Sequence, residues 1–191
     1  MLKLADLLFK NWRLNFHILY PKYTYMKTRT PFTMLFLVFI FSFQQIQAQI
    51  RYNSYHNSRF EFCLEIPYQL FEAQRPPENG DGRRFLSHYG ESLLLTYGGH
   101  SLDMSLKEEM KFRLDAGDFR DREWTITYER IAEDFFILSG YVGEKIFYRR
   151  THLENKMFKT FYLEYPKSEK EKFNEIIAHM VKTFPNCPSK K

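Results

Sequence analysis

Glu144-Lys-Ile-Phe-Tyr-Arg-Arg-Thr-His-Leu-Glu-Asn-Lys-Met-Phe-Lys-Thr-Phe-Tyr-Leu-Glu-Tyr165 decides the fold. Aromatic and β-branched residues dominate it, and a short polar break divides it into two strands, 144–153 and 157–165. Taking Glu154-Asn155 as a two-residue loop sets Ile146 against Leu163, Tyr148 against Phe161 and Lys145 against Glu164, all favourable cross-strand pairs. Arg150 against Lys159 is the one unfavourable pair. Upstream, 124–131 and 135–141 have the same character. The connections are short, so the four strands form an antiparallel meander.

Before the meander, Phe60-Glu-Phe-Cys-Leu-Glu-Ile-Pro67 places Phe60, Phe62, Leu64 and Ile66 on one face, and Pro67 ends the strand. A short continuation, 68–72, has no marked type. Arg75-Pro-Pro-Glu-Asn-Gly-Asp-Gly-Arg-Arg84 is built of turn residues and reads as a loop. Two strands, 84–88 and 92–97, flank a turn at Tyr89-Gly90-Glu91, and Gly98-Gly99-His100 ends the second. Ser105-Leu-Lys-Glu108 has capping-box spacing and opens a helix with Leu106, Met110 and Leu114 as its stripe, running to about Ala116 with Gly117 as its cap. After the meander, Ser168-Glu-Lys-Glu171 has the same spacing. Phe173, Ile176, Ile177, Met180 and Phe184 then recur along one helical face until Pro185. The order of elements predicts an α+β domain with a central, largely antiparallel sheet and helices packed on it.

The N-terminal part reads differently. Lys27 and Arg29 precede an apolar run, 34–41, and Ile46-Gln47-Ala48 supplies a small residue for cleavage, the arrangement of a secretory signal peptide over 26–48. Gln44, Gln45, Gln47 and Gln49 make a retained membrane anchor the lesser alternative, because amides in hydrocarbon are costly. Residues 1–25 then stand as an early start or an extended leader. The rest divides into a short segment, 49–56, a single domain, 57–185, and a tail, 186–191. Export to a periplasm or the cell exterior follows, with no stable membrane span after cleavage.

Net charge is +5, but 6 of the 28 Lys and Arg and 1 of the 23 Asp and Glu precede Gln49, leaving 22 of each beyond it. A neutral domain offers no electrostatic footprint for nucleic acid. The two cysteines, Cys63 and Cys187, form a disulfide candidate in an oxidising compartment; the alternative is a buried thiol and an unrelated tail thiol.

Asn57-Ser-Arg-Phe-Glu-Phe-Cys-Leu-Glu-Ile-Pro67, the closing Tyr162-Leu-Glu-Tyr-Pro166 and the helix end Lys182-Thr-Phe-Pro185 together resemble PsbP-like domains, the fold of an extrinsic photosystem subunit. Small exported bacterial proteins of this type carry loops similar to Pro77-Glu-Asn-Gly-Asp-Gly-Arg83. The resemblance implies an α/β/α arrangement around an antiparallel sheet. It brings no catalytic residues, and it implies a binding or adaptor role.

Two constellations stand out. In the loop, Asp81, Arg83 and Arg84 sit beside Asn79, Gly80 and Gly82. The two arginines are placed to fork onto a carboxylate or phosphate, with a solvated turn of internal Asp–Arg pairs as the alternative. Tyr148, Arg150 and His152 alternate along one strand face and would line a pocket for an anionic or sugar ligand. The alternative is an aromatic at the core edge with two polar residues reaching water. His56, His88, His100, His152 and His179 show no ligand spacing, so no metal is expected. Asp115, Asp118, Asp121 and Glu123, interleaved with Arg113, Arg120 and Arg122, read as a solvated linker. No nucleophile elbow and no Gly-rich phosphate loop is present, so no cofactor is expected. The expected role is a non-enzymatic envelope domain binding a partner protein or small ligand, with a hydrolase of dispersed residues as the alternative.

Overall fold

Nine strands lie among the described residues beyond residue 52, most of them marked by alternation of apolar and polar residues, and two helical stripes interrupt them. The structure, a computed structural model, describes residues 49–116 and 122–187. Its elements are β1 (Asn53–Asn57), β2 (Phe62–Ile66), β3 (Phe71–Ala73), β4 (Gly82–Ser87), β5 (Leu93–His100), α1 (Leu106–Ala116), β6 (Trp124–Ile131), β7 (Phe135–Val142), β8 (Lys145–Glu154), β9 (Met157–Pro166) and α2 (Lys170–Thr183). Seven strands form one antiparallel sheet in the order β3-β4-β5-β9-β8-β7-β6, and β1 and β2 pair separately as an antiparallel hairpin. The leader at 1–48, the cap at Gly117 and the linker residues Asp118, Arg120 and Asp121 lie outside the described residues.

The expected meander is present, but the β8–β9 register differs by two residues. Glu154 pairs with Met157, so the loop is Asn155-Lys156, and both loop residues have positive φ, 52° and 61°. A tight hairpin turn of the I′ kind requires that conformation at both central residues, and Asn adopts it readily. Ile146 therefore faces Tyr165, Tyr148 faces Leu163 and Arg150 faces Phe161, while Lys159 faces His152. A two-residue shift leaves every side chain on its expected face.

Both faces of the sheet are covered over its central strands. On one, Phe161, Leu163 and Tyr165 of β9 meet Phe173, Ile176 and Met180 of α2, with Phe62, Leu64 and Ile66 of β2 closing the side. On the other, Phe158 and Tyr162 of β9, with Phe147 of β8 and Leu138 of β7, meet Leu106, Met110 and Leu114 around α1. Successive residues of β9 thus feed opposite cores, which is why this strand is buried along nearly its full length. The result is the expected α+β, α/β/α arrangement.

Other sequence readings change. Gly98 and Gly99 lie within β5 and do not end it. They pair with Lys159 and Phe158, and Phe60 lies where a side chain at 98 would stand: a Cβ there would be 2.3 Å from the Phe60 Cβ. Gly82 to Arg84 belong to β4, so the loop ends at Asp81. Asn53–Asn57, which the sequence pattern does not mark, is a strand because β2 supplies its partner. Ser168 does not cap α2. A 3₁₀ turn occupies Lys167–Glu169, and Glu169 precedes the helix without a side-chain cap bond. Arg122, expected in a solvated linker, pairs with buried Glu164, which also accepts the Tyr162 hydroxyl at 2.7 Å. Cys63 and Cys187 are joined by a disulfide with Cα atoms 5.4 Å apart, and the Cys63 amide donates to Pro185 O at 2.7 Å. No helix among the described residues is long and apolar enough to cross a membrane.

Candidate functional site

β4 and β5 carry a cleft of about 460 Å³ where the preceding loop folds against them. Register places Arg84 opposite Leu95 and Gly82 opposite Tyr97, so Arg84, Leu95 and Tyr97 share one face of the sheet. Arg75 is brought alongside because the Gln74 amide donates to Arg84 O at 2.8 Å. Gly82 keeps the Tyr97 end open: a Cβ on it would lie 2.6 Å from the Tyr97 Cβ. Arg75, Gly82, Arg84, Leu95 and Tyr97 line the cleft, as do Pro77, Asp81 and Arg83.

The loop is held from outside itself. Asp81 accepts from Arg59 at 2.8 Å and from Asn79 Nδ2 at 2.5 Å, and its carbonyl accepts the Gly98 amide at 2.9 Å. Arg59 also donates to Asn79 O, and Asn57 Nδ2 donates to Gly80 O at 3.1 Å. The acid therefore pairs with a residue 22 positions away, not with Arg83 or Arg84 as the internal-pairing alternative supposes. Arg83 and Arg84, consecutive in a strand, start on opposite faces, so the expected fork of both from one side is not formed. Among the described residues, Arg75, Arg83 and Arg84 have no side-chain hydrogen bond or ion pair. Beneath them, Arg149 Nη2 donates to the Tyr97 hydroxyl at 2.8 Å.

Sequence reasoning missed Arg75, Leu95 and Tyr97. The alternation Leu93, Leu95, Tyr97 marks their face, but only the pairing of β4 with β5 sets that face beside the arginines. Arg149 was hidden in the same way, on the opposite side of β8 from the row that the alternation picks out.

That row, Tyr148, Arg150 and His152, does share a face, but it faces inward. Arg150 is 8% exposed and His152 6%, so neither reaches water as expected. Arg150 Nε donates to His152 Nε2 at 2.8 Å, and its guanidinium lies 3.6 Å from the Phe135 ring centre. The imidazole also packs edge-on against Phe184, just after α2. Burial, with Arg150 second, lowers the His152 pKa to about 4, and burial raises that of the Tyr148 phenol. Arg150 and His152 are thus buried and paired with each other, while Tyr148 is half-buried. Asp81, Arg83 and Arg84 line the cleft beside β4 and β5.

No family model matches the chain, and no curated protein matches it in sequence. In fold it is similar to the solution structure of the cyanobacterial PsbP protein, CyanoP, from Synechocystis sp. PCC 6803. The TM-score is 0.51 at 10% identity, over 72% of this chain and 94% of that one. The fold is thus PsbP-like, and at this identity the likeness concerns fold alone.

Proposed function

We propose that this chain is an exported, non-enzymatic binding or adaptor domain of the cell envelope, and that the cleft beside β4 and β5 is its docking site. One observation carries the reading: Arg75, Arg83 and Arg84 stand around an open cleft without partners among the described residues, while the neighbouring acid is already held by Arg59 and Asn79. The signal-peptide pattern at 26–48 supports export, as does a disulfide, which persists in oxidising compartments. The domain then works in a periplasm or outside the cell.

Native mass spectrometry of the protein purified gently from its host tests this. The expected result is a component retained by the wild type and lost from a variant combining Arg75→Gln, Arg83→Gln and Arg84→Gln. Saturable turnover of an ester, peptide or glycoside substrate would overturn the reading in favour of a hydrolase.

A further inference from the structure

We infer that the cleft binds a small organic oxyanion, a carboxylate or phosphate carried on a flat apolar body. This rests on the cleft being a docking site and adds the chemistry of what docks.

Donors dominate its polar surface. Arg75 and Arg84 bring guanidinium groups whose charge no described residue neutralises. Tyr97 adds a third donor of a particular kind. Its oxygen accepts from Arg149 at 2.8 Å, and its own proton is donated to no described residue. Asp81, the only carboxylate among the lining residues, has one oxygen held by Arg59 and the other by Asn79. A cation entering here would meet three donors and an acid already paired with Arg59 and Asn79. An oxyanion would meet charge-assisted hydrogen bonds, of which guanidinium–oxyanion pairs are among the strongest.

The remainder of the lining selects the rest of the ligand. Leu95 and the Tyr97 ring form an apolar floor, and Pro77 adds an apolar edge. A volume of about 460 Å³ suits a small molecule. An acyl or aryl group lying on this floor would bring its charged end to Arg84, since Arg84 and Leu95 are direct cross-strand neighbours.

Calorimetric titration of the purified protein with phenyl phosphate, inorganic phosphate and phenol tests the inference. Phenyl phosphate should bind once per chain, more tightly than either of the others. Arg84→Gln should weaken it about tenfold, as loss of a charged hydrogen bond does. Arg83→Gln, starting from the opposite face, should weaken it less, and both variants should keep the wild-type melting temperature. Sedimentation with phosphatidylglycerol vesicles separates two sources: co-sedimentation that Arg84→Gln abolishes assigns the oxyanion to a lipid headgroup, and its absence assigns it to a soluble ligand. Phenol binding as well as phenyl phosphate, or Arg84→Gln binding undiminished, would overturn the inference. If a host component without an oxyanion is nevertheless lost on changing the arginines, docking stands and only the anion assignment falls.

Discussion

Arg149 and Arg150 are neighbours in sequence and occupy two different interiors, 1% and 8% exposed. A strand sends consecutive side chains to opposite faces, and here both faces are covered. Each guanidinium therefore needs internal partners: Arg149 reaches Tyr97 and Thr151, and Arg150 reaches His152. The last contact fixes a tautomer. Because His152 Nε2 accepts from Arg150, its proton sits on Nδ1, which faces Asp134 at 3.5 Å. Protonating Nε2 would put two donors face to face in a site with little water, and its folded pKa of about 4 reflects that, burial first and Arg150 second. The folded value lies below the unfolded one of roughly 6.5. Between those values the unfolded chain binds the extra proton, so this contribution is complete above about pH 6.5 and is lost as pH falls toward 4. Urea denaturation of wild type against His152→Gln should show the two stabilities converging over that window. Parallel curves would contradict it.

At the scale of elements, the two helices begin in different ways although their sequences look alike. Ser105 forms the predicted box: its hydroxyl accepts the Glu108 amide at 3.3 Å, and its amide and hydroxyl both donate to Glu108 Oε2 at 2.7 Å. These bonds, the backbone one first, hold the Glu108 carboxyl below its ordinary pKa. Ser105→Ala should cost about 1 kcal/mol, read as a lower urea midpoint, and should move the Glu108 titration partway back up. Ser168→Ala should change stability much less, because a 3₁₀ turn carries the chain into α2 and the hydroxyl caps nothing. The hairpin between β8 and β9 teaches a related lesson. Its faces follow from alternation, but its register follows from Asn155-Lys156, whose positive φ values close the turn one residue later than pairing energies alone suggest.

At the scale of the molecule, the disulfide joins positions 124 residues apart, so it ties the start of the folded domain to its end. It holds the segment after α2 against β2, where Phe184 packs on Phe62, Phe161 and His152. A loop of that length removes much freedom from the unfolded chain, worth ~4–5 kcal/mol on the entropic model. Reduction, or Cys63→Ala combined with Cys187→Ala, should lower unfolding free energy by about that amount in guanidinium titrations. An unchanged midpoint would mean that packing at Phe184 holds the tail without the bond.

Much was legible in the sequence by itself. Period-two alternation, two helical stripes and turn residues give an antiparallel α+β domain, and charge counting removes the misleading net positive value. These are local properties, since a strand or helix declares its period within ten residues. The tertiary structure decided which of the candidate side chains are exposed. Which arginine is open and which is buried depends on what covers each sheet face, and a change of one position along β8 or β4 exchanges those faces. Asp81 found Arg59, and Tyr97 found Arg149, across separations of 22 and 52 residues. No local pattern encodes such pairs. They exist only once the loop before β4 has folded back onto the β1–β2 turn, and β9 has come to lie between β5 and β8.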